Sequence, residues 1–296
     1  MLGDGSLGKA VITGQAIDLV AFTGSLKTAK SIHKRLSTKS GKIIPLIAET
    51  GGLNTMIVDS SALLERACDD IIRSAFNSAG QRCSALRLLL VHEEIYHELI
   101  SMLKGAMDDL TIGIPSDSSV DIGPIINSQA LEKLQNHLIK MKSEGQNIFQ
   151  TSIDQKPFKG DWFPPTLIEI DSMSIIEEEQ FGPILHVASF SEDNLNQYLE
   201  EINEKGFALT FGIHTRIDSK ALDAAKQTSS GNIYINRDIV GSVVETQPFG
   251  GKNLSGSGCK AGGPNYLMQF LDERVVTVNT VAIGGNIDLF NLNEDK

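Results

Sequence analysis

Strand-like and helix-like stretches alternate along almost the whole length of this chain of 296 residues. Short apolar runs at 55–58 and 86–91 have the length and composition of buried strands. Between them, apolar residues recur at helical spacing, which predicts a helix over 61–77. Because parallel strands require a crossover that is usually a helix, the alternation predicts an α/β fold with a mostly parallel sheet and helices on both faces.

The same alternation continues on both sides of this region. Further strands are predicted at 17–22, 42–48, 166–170, 184–190, 209–213, 232–236 and 275–279. Further helices are predicted after Ser25 as far as residue 36, and at 95–110, 128–143, 193–204, 218–228 and 265–271. The remaining long stretches, rich in glycine, proline or small polar residues, are predicted to be loops at 111–125, 150–165 and 241–265.

Composition excludes several classes of function. A formal net charge of -11 argues against non-specific nucleic-acid binding, which depends on basic patches. No uncharged apolar stretch reaches the ~18 residues of a membrane span, and residues 1–20 lack the pattern of a signal peptide. The chain has three cysteines, none in a C-x-x-C pair, and scattered histidines, so we expect reduced thiols, a cytoplasmic location and no metal site.

A glycine pattern at the start of the chain matches the dinucleotide fingerprint G-x-G-x-x-G, as Gly3-Asp4-Gly5-Ser6-Leu7-Gly8. That fingerprint needs a preceding strand and an acidic residue about 20 positions further on. Only Met1 and Leu2 precede it here, and Asp18 comes too early. We therefore interpret the segment as a plain glycine turn.

The segment Phe22-Thr23-Gly24-Ser25 lies between a predicted strand and a predicted helix. Backbone N–H groups and a hydroxyl at a helix N-terminus suit a phosphate group. They equally suit an ordinary helix cap formed by the serine. The local pattern alone favours the cap.

Cys83 and Glu49 are the two residues with the most chemical promise. Cys83 lies where the predicted helix meets the next strand, Gly80 permits a sharp turn, and Arg82 would favour a thiolate if its side chain approached the sulfur. Glu49 ends an apolar segment, where burial raises a carboxyl pKa towards that of a general base. The alternatives are a buried structural cysteine and a solvated strand end. Cys68 falls on the apolar helix face and is expected in the core, whereas Cys259 is unexplained.

Four segments together resemble the aldehyde dehydrogenase superfamily, in the family's order and at family-like spacing over essentially the whole chain. They are Glu49-Thr50-Gly51-Gly52, Gly80-Gln81-Arg82-Cys83, Glu179-Gln180-Phe181-Gly182-Pro183 and Pro248-Phe249-Gly250-Gly251. Within the superfamily, residues 48–54, 74–87 and 247–264 are most similar to the glutamate semialdehyde (pyrroline-5-carboxylate) dehydrogenase portion of the bacterial proline utilisation A proteins.

The resemblance implies a role for each residue of the reacting centre. Cys83 would attack an aldehyde to give a hemithioacetal, which passes hydride to NAD and becomes a thioester. Glu49 would activate the water that hydrolyses the thioester, and the backbone N–H of Cys83 would form half of an oxyanion hole. NAD would be bound at its nicotinamide end by Glu179 and Phe181.

The resemblance also assigns residues outside the reacting centre. Gly24 and Ser25 would lie by the NAD pyrophosphate. In the glutamate semialdehyde branch a hydroxyl and loop N–H groups hold the substrate α-carboxylate. The residues that correspond here are Ser84, Gly241 and Ser242, with Phe249 packed on the aliphatic part of the substrate.

Three domains follow from the same resemblance: the C-terminal part of an NAD-binding domain at 1–51, a catalytic domain at 52–273, and an oligomerisation strand with a tail at 274–296. The family's N-terminal portion, with an oxyanion-hole asparagine and a lysine for the adenosine ribose, has no counterpart in this sequence. We therefore expect an incomplete Rossmann-like cofactor domain, in a homo-oligomer or in association with a chain that carries the N-terminal half.

The implied activity is NAD-dependent oxidation of L-glutamate γ-semialdehyde to L-glutamate in proline catabolism, dependent on that N-terminal half. The alternatives are a catalytically inactive remnant or interaction partner, and an aldehyde dehydrogenase for another aldehyde. Ser84 together with Gly241 and Ser242 favours an amino-acid semialdehyde as the substrate.

Overall fold

Two parallel strands and two helices form the N-terminal part of the chain. The computed structural model describes residues 2–14, 17–153, 160–243, 245–279 and 282. Helix α1 (Gly5–Thr13) is followed by β1 (Val20–Thr23), α2 (Leu26–Ser37) and β2 (Leu46–Glu49). The two strands pair in parallel, with Thr23 beside Glu49. A small apolar cluster of their own, separate from the main core, packs this part together: Ile32, Leu36 and Ile44.

The glycine segment 3–8 is not the plain turn predicted from the sequence, because helix α1 begins at Gly5. The Asp4 carboxylate accepts a hydrogen bond from the Ser6 N–H at 2.9 Å, and thereby caps the first turn of the helix.

A seven-stranded sheet, in the order β10-β9-β3-β4-β7-β6-β5, carries the main core. All neighbouring strands are parallel except the edge strand β5, which runs antiparallel to β6. The prediction of an α/β fold with a mostly parallel sheet is confirmed. In chain order the elements are β3 (Thr55–Val58), α3 (Leu64–Phe76), β4 (Leu88–His92), α4 (Tyr96–Asp108), α5 (Ser128–Ser143), β5 (Asn147–Gln150), β6 (Thr166–Glu169), β7 (Ile184–Phe190), α6 (Leu195–Glu204), β8 (Phe207–Ala208), β9 (Thr210–His214), α7 (Asp218–Gln227), β10 (Asn232–Ile235) and β11 (Lys252–Asn253).

The main core forms where the predicted apolar periodicity places it. Strands β3 and β4 are buried along their whole length, as expected for central strands of a parallel sheet. Helix α3 packs against α4 and buries the apolar face predicted from its sequence, which includes Ile71, Ala75 and Phe76. Cys68 lies on this face, so its assignment to the core is confirmed.

Two predicted elements near the C-terminus are wrong for the single chain. Residues 275–279 form no strand and pair with no strand among the described residues, and their valines are largely exposed. The helix predicted at 265–271 is reduced to a 3₁₀ turn at Leu267–Phe270. Residues 280–281 and 283–296, which the predicted tail includes, lie outside the described residues. The edge strand β5 was not predicted.

The sheet topology brings three separate loops to one edge. The chain enters β3, β4 and β7 through the segments 49–54, 80–87 and 179–183, and these strands are neighbours in the parallel order β3-β4-β7. The three entering segments therefore meet at the amino ends of the strands. No helix in the part of the chain that the structure describes combines the length and apolar character needed to span a bilayer.

Candidate active site

Glu49 is the last residue of β2. The glycine-rich segment 250–260, called the glycine loop below, surrounds its carboxylate. The Gly251 N–H donates to Glu49 Oε2 at 2.9 Å, and the Thr50 N–H donates to the Ser255 carbonyl at 2.9 Å. A Cβ atom at Gly256 would lie 2.9 Å from Glu49 Oε2. The absence of a side chain at this position therefore lets the loop close around the carboxylate.

The environment of Glu49 raises the pKa of its carboxyl group above the usual value for glutamate. Burial raises its pKa to about 6, against the opposing effects of the Gly251 N–H and the positive charge of Lys260. Above that pH the side chain is an anion that can accept a proton, as a general base must. Lys260 was not identified from the sequence, because only the folding of the glycine loop brings it near Glu49.

Cys83 follows a strongly bent segment at the end of α3. Three consecutive residues, Ser78, Ala79 and Gly80, have φ values of 56°, 54° and 62° in the left-handed region. A Cβ atom at Gly80 would lie 2.2 Å from the Gly182 carbonyl oxygen. Glycine is thus required here both for the turn and for the close approach of the 179–183 segment.

The backbone around Cys83 is fixed by Asn54, a buried residue at the entrance of β3. Asn54 Nδ2 donates to the carbonyl oxygens of Cys83 at 2.7 Å and Ala85 at 2.8 Å. Its Oδ1 accepts from the Thr210 N–H at 3.1 Å. Asn54 was not singled out from the sequence, although a polar residue directly before a fully apolar strand is a usable signal for such a bridge.

The Cys83 thiol is half-buried and has opposing electrostatic influences. Burial raises its pKa, and the negative charges of Glu179 and Glu49 raise it further, while the backbone N–H groups of Ser84 and Cys83 lower it. The influence of Glu49 puts that carboxylate within electrostatic range of the thiol. The two N–H groups that favour the thiolate also suit an oxyanion formed at the same point.

Arg82 does not have the role considered for it from the sequence. Its side chain is exposed and its Nε donates to Ser78 Oγ at 2.9 Å, so it stabilises the bent segment. Gln81 is likewise structural: its Nε2 donates to the Pro124 carbonyl at 3.1 Å, and its Oε1 accepts from the Ile126 N–H at 2.9 Å.

Glu179 and Phe181 lie on the third entering segment, against Gly51 and Arg87. Glu179 Oε1 accepts from Arg87 Nη2 at 3.1 Å, and a Cβ atom at Gly51 would lie 1.7 Å from Glu179 Oε2. The carboxylate therefore rests directly on the glycine pair that follows Glu49. Burial raises the pKa of Glu179, whereas Arg87 and the Gly52 N–H lower it. Phe181 is 45% exposed, so its ring is open to a ligand.

Gly24 and Ser25 lie where β1 meets α2, next to Glu49. The Gly24 N–H donates to the Glu49 carbonyl at 3.0 Å, which joins the carboxyl ends of β1 and β2. Ser25 is the exposed N-cap of α2, and its Oγ accepts from the Thr28 N–H at 3.3 Å. The ordinary cap is thus present, and this exposed helix start lies at the carboxyl edge of a parallel pair.

The residues considered for a substrate carboxylate are on separate segments. Ser84 is buried beside Cys83, whereas Gly241, with φ of 82°, and Ser242 are exposed on the loop after β10. Phe249 is half-buried, and its N–H pairs with the Ala261 carbonyl at 2.9 Å. The structure gives no direct contact between Ser84 and the 241–242 pair.

A buried serine links these segments through the backbone. Ser74, in the last turn of α3, accepts a hydrogen bond at its Oγ from the Ile239 N–H at 3.1 Å. Its carbonyl accepts from the Leu86 N–H at 2.9 Å. The loop that carries Gly241 is therefore tied to the helix that leads into the Cys83 turn.

All three cysteines are free, and Cys259 is exposed in the glycine loop, with no role visible in the site. Among the residues that the structure describes, no three His, Cys, Asp or Glu side chains gather as metal ligands would. The site is accordingly built from a thiol, two carboxylates, one buried arginine and backbone N–H groups.

Known proteins share this arrangement of segments. The chain is 44% identical over 290 residues to the bifunctional protein PutA of Escherichia coli strain K12, an alignment that covers 95% of this chain and 22% of that protein. A crystal structure of a bifunctional proline utilization A protein matches with a TM-score of 0.90 and 46% identity, covering 95% of this chain and 28% of that one. A structure of 1-pyrroline-5-carboxylate dehydrogenase from Thermus with bound NAD matches with a TM-score of 0.82 and 28% identity, covering 91% of this chain and 52% of that one.

The chain thus spans about a fifth of the length of the E. coli protein and about half of the length of the Thermus dehydrogenase. The family profile described as "Aldehyde dehydrogenase family" matches residues 1–276, which include every site residue named above. The chain belongs to the aldehyde dehydrogenase family.

Proposed function

We propose that this chain carries the reacting centre of an NAD-dependent L-glutamate γ-semialdehyde dehydrogenase, which oxidises the aldehyde to L-glutamate in proline catabolism. The observation that carries the proposal is the meeting of Cys83, Glu49 and Glu179 at the amino ends of β3, β4 and β7. Membership of the aldehyde dehydrogenase family supports it. The names of the relatives, PutA and 1-pyrroline-5-carboxylate dehydrogenase, support this substrate class.

In the proposed reaction, Cys83 Sγ gives up its proton and adds to the aldehyde carbon, while the carbonyl oxygen becomes an oxyanion. The backbone N–H groups of Cys83 and Ser84 stabilise this oxyanion. When bound, NAD would supply the acceptor for the hydride that leaves the carbon, and Cys83 would then hold a thioester. Glu49 then takes a proton from water as the water oxygen attacks the thioester carbon. Glutamate leaves, and the proton returns the sulfur to a thiol.

The residues present suit NAD. The N-terminus of α2 offers the Ser25 hydroxyl and the backbone N–H groups of its first turn for a pyrophosphate, near the last residue of β2. The Glu179 carboxylate would accept hydrogen bonds from a ribose, and the half-exposed Phe181 ring offers an apolar face to the nicotinamide. We assign residues 1–51 to the cofactor domain, 52–273 to the catalytic domain and 274–296 to a segment for subunit association. The separate apolar cluster of the N-terminal part supports the first boundary.

We further propose that Ser84, Gly241 and Ser242 hold the substrate α-carboxylate, with Phe249 against its methylene groups. Exposed Gly241 and Ser242 offer a backbone N–H and a hydroxyl to an anion. The hydrogen bond from Ile239 to Ser74 supports the nearness of this loop to the Cys83 turn.

We also propose that this chain associates with a second copy of itself, or with a chain that carries an N-terminal half. Val275, Val276 and Val278 are 80%, 74% and 62% exposed, and apolar strand-forming residues of this kind suit pairing with another chain. Sedimentation of the native chain and of V276E tests it: a lighter species for V276E supports the assignment, and equal masses contradict it.

The three free cysteines are in keeping with a cytosolic location.

The direct test is turnover of the purified chain with NAD and L-glutamate γ-semialdehyde, alone and mixed with an N-terminal half of a relative, followed by the absorbance of reduced nicotinamide. We expect turnover that C83A abolishes. Turnover that survives C83A contradicts the assignment of the nucleophile. Preference for a simple aliphatic aldehyde contradicts the substrate assignment. If Cys83 reacts with a thiol reagent but neither the chain alone nor the mixture turns over, the chain is a non-catalytic member of the family.

A further inference from the structure

Arg87 is a fully buried arginine that contacts all three segments of the site. Its side chain is 2% exposed, although arginine is rarely buried unless its charge is paired. Nη1 donates to the Gly182 carbonyl at 3.0 Å, and Nη2 donates to the Arg82 carbonyl at 3.1 Å and to Glu179 Oε1 at 3.1 Å. The planar fork of one guanidinium thus joins the Cys83 turn to the Glu179 segment.

The same residue also reaches the aromatic ring and the third segment. Its guanidinium carbon lies 5.5 Å from the centroid of the Phe181 ring, within the range of a cation–π contact. Its backbone N–H donates to the Asn54 carbonyl at 2.9 Å, and Asn54 in turn holds the carbonyl of Cys83 at 2.7 Å. Both side chains proposed to hold the nicotinamide end of NAD therefore rest on Arg87.

The charges around Cys83 give this position an electrostatic consequence. Two carboxylates, Glu179 and Glu49, lie within range of the thiol and oppose its ionisation. Lys260 acts on Glu49, whereas the exposed Arg82 is turned to Ser78. The cation that is paired with Glu179 is Arg87, at 3.1 Å. Without it, an unpaired anion would remain buried beside the sulfur.

We propose that Arg87 is a positioning residue for the reaction: its guanidinium holds the Cys83 turn and the Glu179–Phe181 segment in one arrangement, and its charge compensates Glu179 so that Cys83 can form a thiolate. This inference rests on the proposed function, because it takes Cys83 as the nucleophile. It corrects the sequence-based assignment of Arg82, since the cation that serves the thiol is five positions further along the chain. A lysine could supply the charge but not the fork that binds three acceptors.

The test is the pH dependence of Cys83 alkylation by iodoacetamide, read on the Cys83 peptide by mass spectrometry in the full chain. This readout requires neither NAD nor turnover. We expect R87M to move the alkylation midpoint of Cys83 upward by about one pH unit, because an opposite charge has been lost. The double variant R87M/E179Q, which removes both charges, should have a midpoint near that of the wild type. R87K, which keeps the positive charge, should also have a midpoint near that of the wild type. R35M, at an exposed arginine of α2, is the control for net charge and should leave the midpoint unchanged.

An R87M variant that is folded and has a wild-type midpoint overturns the proposal, and so does a double variant that keeps the full R87M shift. If R87M does not fold, E179Q decides: removal of the compensated anion should leave the Cys83 midpoint unchanged or lower, and a rise overturns the proposal. Failure of the proposed function gives a different result. In that case wild-type Cys83 reacts no faster than the exposed Cys259, whatever residue is at position 87.

Discussion

The Glu49 carboxylate accepts a hydrogen bond from the Gly251 N–H at 2.9 Å, so the position of the base depends on a loop about 200 residues further along the chain. The loop holds the carboxylate in a partly buried place, where its pKa is raised to about 6. The same N–H group limits that rise, because it favours the anion. Glu49 is therefore mostly ionised at neutral pH and ready to take a proton.

Hydrolysis of the thioester on Cys83 should fall as the pH falls through about 6, because protonated Glu49 cannot act as a base. The rate is measured on protein acylated by an activated aryl ester, so that NAD is not required. We expect E49Q to lower this rate about 10²–10⁴-fold and to remove the acid limb of the profile.

E65Q, at an exposed glutamate of α3, is the matched control and should keep the wild-type profile. Stability provides a second check. The folded-state pKa of Glu49 is raised from 4.5 to about 6, so the folded protein binds more protons between these values. The free energy of unfolding therefore falls as pH rises through this window, and E49Q should not lower Tm at neutral pH. An acid limb retained in E49Q would show that another group is the base.

A methyl group at position 256 should disturb the base without touching the nucleophile. The Cβ atom of G256A would lie 2.9 Å from Glu49 Oε2, closer than a carbon and a carboxylate oxygen pack. We expect G256A to slow hydrolysis of the thioester at least tenfold and to leave the rate of Cys83 acylation within about twofold, in pre-steady-state measurements with the aryl ester.

The control for this glycine is Gly105, which is exposed in α4 and has open space around its position for a Cβ atom. G105A should leave both rates unchanged and raise the free energy of unfolding by about 0.5–1 kcal/mol, because alanine favours a helix. Equal slowing of acylation and hydrolysis by G256A would mean that the loop acts on the whole site rather than on Glu49.

The sequence predicts most of the fold because burial and chain connectivity determine it locally. Strand β3 and helix α5 have the predicted bounds, since β3 is a continuous apolar run and α5 has buried residues at helical spacing. Strand β5 was not predicted, because an edge strand depends on a neighbouring strand rather than on its own composition. Residues 275–279 have strand-like composition, but a strand also requires a partner edge.

The site is predictable in its reacting residues and not in the residues that support them. Cys83 and Glu49 each follow a local signal, a glycine turn or the end of an apolar run. Arg87 lies inside an apolar stretch, and nothing in the neighbouring sequence indicates a contact with Glu179. Its partners lie on other loops, which become neighbours only because the sheet places β3, β4 and β7 side by side. Arg82 is adjacent to Cys83 in sequence, but its side chain bonds to Ser78, which the sequence does not reveal either.

The three thiols should differ in reactivity, and the buried Cys68 should be the slowest of them. Cys68 is buried, and burial raises its pKa to about 11, so it should resist iodoacetamide in the folded chain. Cys83 and the exposed Cys259 should both react, and an aldehyde that forms a hemithioacetal should protect Cys83 alone. Peptide mapping after a time course distinguishes the three sites. Alkylation of Cys68 as fast as that of Cys83 would contradict the burial of Cys68, and equal protection of Cys259 would contradict a specific aldehyde site.

Substitution of Ser242 should separate recognition of the substrate from the chemistry at Cys83. Ser242 is exposed on the loop after β10, and leucine there removes a hydroxyl and places an apolar side chain in the proposed path of the α-carboxylate. We expect S242L to raise KM for glutamate γ-semialdehyde about tenfold or more, the effect of one lost hydrogen bond to a charged group. KM for a short aliphatic aldehyde should change by less than about twofold, because that substrate has no carboxylate. S118L, at an exposed serine of the loop between α4 and α5, is the matched control. Equal changes in KM for both aldehydes would reject the carboxylate assignment, because the substitution would then act on the site as a whole.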